Sequence, residues 1–144
     1  MTAIYFPVSD IVELGAAEVD QLKAAARSSP TGRARFCFHE NADSVVHDML
    51  IAFAGRGYVR PHRHLKKAET LHAVEGNFDV VVFDDDGREV RRIQMGPAAG
   101  RALLYRMPVR VWHTVLPLDD MVILHEVTQG PFVPAETEYP TWAQ

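Results

Sequence analysis

Apolar and polar positions change their period once along this chain. From Ala16 to Arg27 the apolar residues Ala16, Val19, Leu22, Ala25 and Ala26 recur at three- and four-residue steps, with Glu18, Asp20, Gln21 and Lys23 between them. That spacing predicts an amphipathic helix. Ser28-Ser29-Pro30 ends it, because proline restricts the residue before it and has no N–H to give to a helical hydrogen bond. Beyond Pro30 the pattern is that of strands. Val45 to Phe53, Asn77 to Phe83, Arg88 to Met95, Ala102 to Tyr105, Val111 to Leu116 and Met121 to Thr128 are apolar or β-branched runs bounded by turn residues. Asp85-Asp86-Gly87 joins two of them as a hairpin, since glycine accepts the positive φ of a tight turn. A succession of short strands at this spacing predicts a mainly β protein, a sandwich or barrel carrying one N-terminal helix. The last segment, Pro131 to Gln144, is expected to lie as irregular chain over the barrel through Phe132, Tyr139 and Trp142. The expected plan is one domain: a helical extension over about residues 10–30, a barrel over about 33–130, and this tail.

Composition narrows the setting. A chain of 144 residues can bury one core, and 47% hydrophobic residues are ordinary for a globular protein. No apolar run reaches membrane-spanning length, so no membrane partner is expected. Asp10, Glu13, Glu18 and Asp20 make the N-terminal region unlike a secretory leader. Cys37 is the only cysteine, which excludes an intrachain disulfide and fits a reducing, cytoplasmic location. A net charge of -4 offers nucleic acid no general attraction. Positive charge is nevertheless concentrated at Arg56, Arg60, Arg63, Lys66 and Lys67.

The candidate chemistry begins beside that cluster. In Pro61-His62-Arg63-His64 the two histidines are one residue apart, so on a strand both imidazoles share a face and form a chelating pair. Glu69 follows at a distance that lets the chain turn and bring a carboxylate back to the pair, and Gly76 supplies the next turn. A His-x-His alone is weak evidence, since surface histidines are common.

The spacing of these residues, together with the later Pro108-Val109-Arg110-Val111-Trp112-His113, resembles the two sequence motifs of the cupins. The resemblance implies a cupin double-stranded β-helix, a jelly-roll barrel, with one metal held by His62, His64, Glu69 and His113. The second motif departs from the family pattern: Arg110 stands where a glycine is usual and Pro117 where an asparagine is, so the turn before His113 is expected to differ. More narrowly, Ser29-Pro30, Arg33, Phe36-Cys37-Phe38-His39, Tyr58-Val59-Arg60-Pro61-His62-Arg63-His64, Val82-Phe83-Asp84-Asp85-Asp86-Gly87 and Glu126-Val127-Thr128-Gln129-Gly130-Pro131-Phe132 are similar to the WbuC family of cupin metalloproteins, some of which are encoded beside genes for bacterial O-antigen polysaccharide. That resemblance implies a sugar or sugar nucleotide as ligand and, as for many cupins, a homodimer. A small carboxylate handled by a dioxygenase or isomerase, and a metal-dependent binding module without a chemical step, stay open beside it.

Three neutral imidazoles and one carboxylate suit a divalent transition metal (Fe, Mn, Zn, Ni, Co or Cu) rather than Ca or Mg, and leave positions for water, O₂ or a ligand oxygen. By strand alternation Arg60 shares the face of His62 and His64, where it is a candidate contact for an anion or simply a solvated arginine. Arg63 should face the other way, toward solvent or a subunit. Lys67 in the following loop, Tyr105 as a wall of a sugar site and His125 in an apolar strand complete the candidate substrate contacts. His72 is out of phase with Glu69, and Cys37 reads as a buried apolar residue.

Overall fold

The computed structural model describes residues 2–55 and 57–143; Arg56 of the basic cluster and Gln144 of the tail lie outside them. Eleven strands, one α-helix and one 3₁₀ turn follow in the order β1 (Ala3–Tyr5), α1 (Ala16–Ser28), β2 (Arg33–Cys37), β3 (Val46–Ala54), β4 (Arg63–His64), β5 (Glu69–Glu75), β6 (Phe78–Phe83), β7 (Glu89–Met95), β8 (Leu104–Met107), β9 (Trp112–Pro117), β10 (Met121–Gln129), a 3₁₀ turn (Pro134–Glu136) and β11 (Thr137–Glu138). A six-stranded sheet, β1-β2-β3-β10-β5-β8, faces a three-stranded sheet, β7-β6-β9, and β4 pairs with β11 beside them. The result is a jelly-roll barrel.

Strand alternation explains both of its cores. Met49, Ile51 and Phe53 of β3, Leu71 and Ala73 of β5, Phe78 and Val80 of β6, and Val122 and Leu124 of β10 fill the barrel. Leu50 and Ala52 of β3, Ala34 of β2 and Ile123 of β10 point out of the opposite face, where Leu22 and Ala26 of α1 cover them. Burying Leu22 contributes about 2 kcal/mol. Gly15 N–H donates to Glu18 Oε2 at 2.9 Å and starts the helix.

The helix and the main strands lie within a residue or two of the expected bounds. At the N-terminus there is more structure than expected: β1 pairs in parallel with β2, Ala3 opposite Ala34. The tail is not wholly irregular either. Its β11 is antiparallel to β4, with Thr137 opposite His64 and Glu138 opposite Arg63, because Glu138 Oε2 accepts from Arg63 Nε at 2.6 Å. Trp142 anchors the end of the tail against Phe83 and Trp112. It lies over Gly87, where a Cβ would come within 2.6 Å of the indole. Gly87 takes φ +83°, as the hairpin turn requires. Phe132 and Tyr139, expected to cover the barrel, remain about half exposed at the cavity rim.

A candidate metal centre inside the barrel

His62 and His113 stand opposite one another in an antiparallel bridge, each N–H donating to the other's carbonyl at 3.0 Å. This pairing seats β9 beside the His-x-His segment. The bend that precedes it passes through Arg110, at φ +65°, whose N–H donates to His64 O at 2.7 Å. The left-handed turn for which the cupin motif uses glycine is therefore made here by an arginine, at a steric cost of about 1–2 kcal/mol. Glu69, the first residue of β5, closes the set from the large sheet.

The histidines converge: a ligating nitrogen from each of His62, His64 and His113 lies within 4.8 Å of the others. Glu69 Oε1 is 2.7 Å from His113 Nε2 and its Oε2 is 3.2 Å from His64 Nε2. Glu69 and His113 are 5% and 1% exposed. On the far side of each ring Nδ1 has its own partner: His62 Nδ1–H donates to Arg60 O at 2.9 Å, His113 Nδ1–H to Val111 O at 2.8 Å, and His64 Nδ1 meets Thr137 Oγ1 at 3.1 Å. With Nδ1 occupied, Nε2 is the nitrogen each ring presents to the centre, and for His62 and His113 the carbonyl partner keeps the proton on Nδ1, which is the tautomer a metal requires. Thr137 comes from β11, so the tail orients one of the rings.

Electrostatics describe the same centre in its protonated form. Burial by itself would raise the Glu69 carboxyl, but hydrogen bonds with His113 and His64 and their charges outweigh it and hold the group well below the usual carboxylate range. Burial would lower His113, yet the hydrogen bond to Glu69 and the Glu69 charge raise it above the ordinary histidine value. Burial and the neighbouring His113 lower His62 from 6.5 to about 4. One proton is thus shared by a His113–Glu69 pair beside a His62 that stays neutral to about pH 4, in a place where a divalent cation would satisfy every donor. The convergent donor set fits such an ion, and His62, His64, Glu69 and His113 would hold it.

This centre opens into a cavity of about 470 Å³ lined by Met49, Ile51, Phe53, Leu71, Val115 and Leu124 on its apolar side. The other sequence candidates are dispersed around it. Arg60 reaches the rim, but its guanidinium donates to Ala143 O at 2.9 and 3.1 Å and lies 4.9 Å over the Tyr139 ring, so it ties down the tail. Lys67 lines the cavity, with Nζ 5.8 Å over the Phe132 ring. Tyr105 lies within the barrel core opposite Leu71, its hydroxyl buried without a hydrogen-bond partner among the described residues. His125 is on the outer face of β10, out of phase with the cavity-facing Leu124 and Glu126, and pairs with Asp48 Oδ1 at 2.5 Å. It cannot reach the centre from there. His72 likewise faces outward, toward His125. Arg63 faces away from the centre as expected, but it stacks 4.2 Å over Trp112 and pairs with Glu138 rather than lying free.

Three cavity residues escaped the sequence reading: Arg33 and Arg35 of β2, and Glu126 of β10. Glu126 was open to detection, because it is in phase with the core residues Val122 and Leu124. Burial, then the charge of Glu69, raises its carboxyl above the ordinary value.

A jelly-roll barrel with a His₃–carboxylate centre defines the chain as a cupin-fold protein with a site able to hold a metal. Residues 14–95 match the family model described as a domain of unknown function (DUF6016), and the chain belongs to that family. No curated protein matches it in sequence. Among solved structures it is similar to the capsular polysaccharide assembling protein CapF from Staphylococcus aureus, with TM-score 0.61, 16% identity, and 74% of this chain against 29% of that one. Oxalate oxidase bound to glycolate gives TM-score 0.58 at 13% identity, over 78% of this chain and 57% of that one. Oxalate decarboxylase from Bacillus subtilis gives 0.54 at 19% identity, over 67% and 24%. The chain thus spans less than two thirds of each of these proteins, and the likeness is one of fold.

Proposed function

We propose that the protein is a metal-dependent cupin that binds a small oxygenated molecule at a divalent transition metal held by His62, His64, Glu69 and His113. The supporting observation is the convergence of four donors, Glu69 and His113 buried and His62 and His64 partly so, at the wall of a cavity of about 470 Å³, with every ring held from behind through Nδ1. Bound there, the metal would supply Lewis acidity toward a carbonyl or hydroxyl oxygen, or, as Fe(II), a site for O₂. The chain's own contribution is to fix the tautomers, exclude bulk water and offer Glu126 as a carboxyl able to give or take a proton near the ligand. Following the WbuC resemblance, the ligand would be a sugar or sugar nucleotide of bacterial O-antigen or related polysaccharide assembly, and the protein a cytoplasmic homodimer. The polysaccharide link of the CapF fold neighbour points the same way.

The second reading is a small carboxylate, handled by dioxygenase or isomerase chemistry or bound without reaction. Its support is the excess of cationic groups in the cavity, where Arg33, Arg35, Arg60 and Lys67 face only Glu69 and Glu126. Elemental analysis of protein purified without added metal should find one transition metal per chain, lost in His62→Ala and in Glu69→Gln. Metal at background level in the wild type would defeat both readings. Nucleotide sugars and small carboxylates, offered to the loaded protein and recovered for mass spectrometry, separate turnover from binding of an unchanged ligand.

A further inference from the structure

The side chains of Arg33 and Arg35 enter the barrel from alternate positions of one strand, β2, so their Cα atoms are roughly 7 Å apart and both point into the cavity. Neither guanidinium has a hydrogen bond or ion pair with a described residue, and Arg33 Nε is buried without a hydrogen-bond partner among them. Burial, and after it the charge of Arg35, lowers Arg33 from its ordinary value, a cost that any anion placed between the two would offset. Structural arginines inside proteins are ordinarily matched by carboxylates. Here Glu69 is taken up by His113 and His64, and the other carboxyl on the cavity wall, Glu126, forms no ion pair with a described residue and stands across β3 from β2, in the row Cys37-Met49-Glu126. Two half-buried guanidiniums that repel one another beside an apolar wall, one of them desolvated and neither in an ion pair with a described residue, leave room for a ligand's counter-charge.

The position of the pair defines what kind of ligand. Across the sheet Arg35 is in register with Ile51 and Leu124, while Glu69 lies at the other end of the same inner face, in register with Thr128 and His47. Between them are Met49, Leu71 and Glu126. A molecule spanning this face meets cations at one end, apolar side chains and one carboxyl in the middle, and the histidine–carboxylate centre at the other. We propose that Arg33 and Arg35 form an anion subsite, and that the ligand is an organic acid or phosphate ester whose anionic group sits on this pair while its oxygen function faces the centre. The inference rests on the metal-dependent reading for the second half of that statement and is independent of it for the first. Glu126, diagonal to Glu69 at roughly 7 Å between backbones, faces the ligand's middle and is a positioning or proton-transfer group there.

The test is anion binding, followed by calorimetry and by thermal shift in both the metal-loaded and the chelator-treated protein. The probes are inorganic phosphate, succinate and uncharged dimethyl succinate. Phosphate or succinate should bind and raise the melting temperature in both metal states, and dimethyl succinate should not. Arg35→Gln and Arg33→Gln should each weaken binding at least tenfold, Arg35→Lys less, and Arg91→Gln, on the exposed face of β7, not at all. Preference for phosphate over succinate, or the reverse, assigns the anion. The subsite is overturned if no anion binds the wild type, or if Arg33→Gln/Arg35→Gln binds as well as the wild type while remaining folded by circular dichroism. Should the double variant not fold, Arg35→Lys and Arg33→Lys decide: a loss of phosphate or succinate affinity smaller than in the single Gln variants, with dimethyl succinate still not binding, supports the subsite, and affinity equal for all three probes overturns it. A wild type that binds anions but no metal would sink the metal-dependent reading alone.

Discussion

At the scale of single residues, two side chains carry consequences out of proportion to their size. Arg110 occupies a left-handed conformation at φ +65° with its side chain exposed, and the contact it makes, its N–H to His64 O, is a backbone one that glycine would keep. Arg110→Gly removes a Cβ clash of about 1–2 kcal/mol and adds backbone entropy to the unfolded chain, for a net gain of up to about 1 kcal/mol. Chemical denaturation should show it; a loss of stability would mean that the arginine makes a contact that outweighs its backbone. Thr137 acts through His64. Thr137→Val keeps the shape but leaves Nδ1 without its oxygen, and metal affinity should fall about 10–100-fold, with Thr137→Ser close to wild type. Competition with a chelator measures it, and equal affinities in all three proteins would remove Thr137 from the account. Arg110 is marked in the sequence, since it stands where the cupin motif has a glycine, whereas Thr137 could not be singled out from the chain alone. The His-x-His pair could, because a strand's period of two puts both rings on one face whatever surrounds them. His113 needed the second motif, and Thr137 needed a tail pairing that no local pattern announces.

At the scale of elements, the ambiguity lies in a sheet that is covered on both faces. In β2, Ala34 and Phe36 alternate with Arg33, Arg35 and Cys37. Read as a strand with one wet face, the apolar set belongs inside and the arginines outside. The structure inverts this, because the apolar face of β2 packs under α1 and the arginines enter the barrel. Alternation fixes which residues share a face and is silent on which face is which. The tail was hidden for a different reason: its pairing with β4 is only two residues long and is held by Arg63, Glu138 and the seat of Trp142 on the hairpin. Trp142→Ala should therefore loosen the tail more than the barrel. We expect roughly 1–3 kcal/mol of lost stability, with amide exchange accelerated over residues 134–143 and unchanged in β6 and β10. Exchange accelerated uniformly would show instead that the tail and barrel unfold as one unit.

At the scale of the whole molecule, the barrel uses its stability to hold titratable groups in states they would not choose in water, and pH exposes this. With the metal removed, His62 is neutral in the folded protein down to about 4 but protonates near 6.5 once unfolded. Between those values the unfolded chain binds a proton that the folded chain does not, so stability falls as pH falls through that window, by at most about 3 kcal/mol from this residue. Glu69, held below the ordinary carboxylate range, has the same sign: its contribution is present at neutral pH and is lost as acid protonates it. His113 is opposite. Its raised value favours the fold below the unfolded histidine value, and that contribution fades as pH rises through the folded one. A metal ion held by the centre would replace the proton that His113 and Glu69 share, so acid should both weaken metal binding and destabilise the metal-free barrel. Urea titrations of chelator-treated protein at pH 6.5 and 4 test the second effect: the wild type should lose stability between them, and His62→Gln, which has no proton to exclude, should lose less by up to the same 3 kcal/mol. Identical losses in the two proteins would show that His62 is not the source of the acid sensitivity.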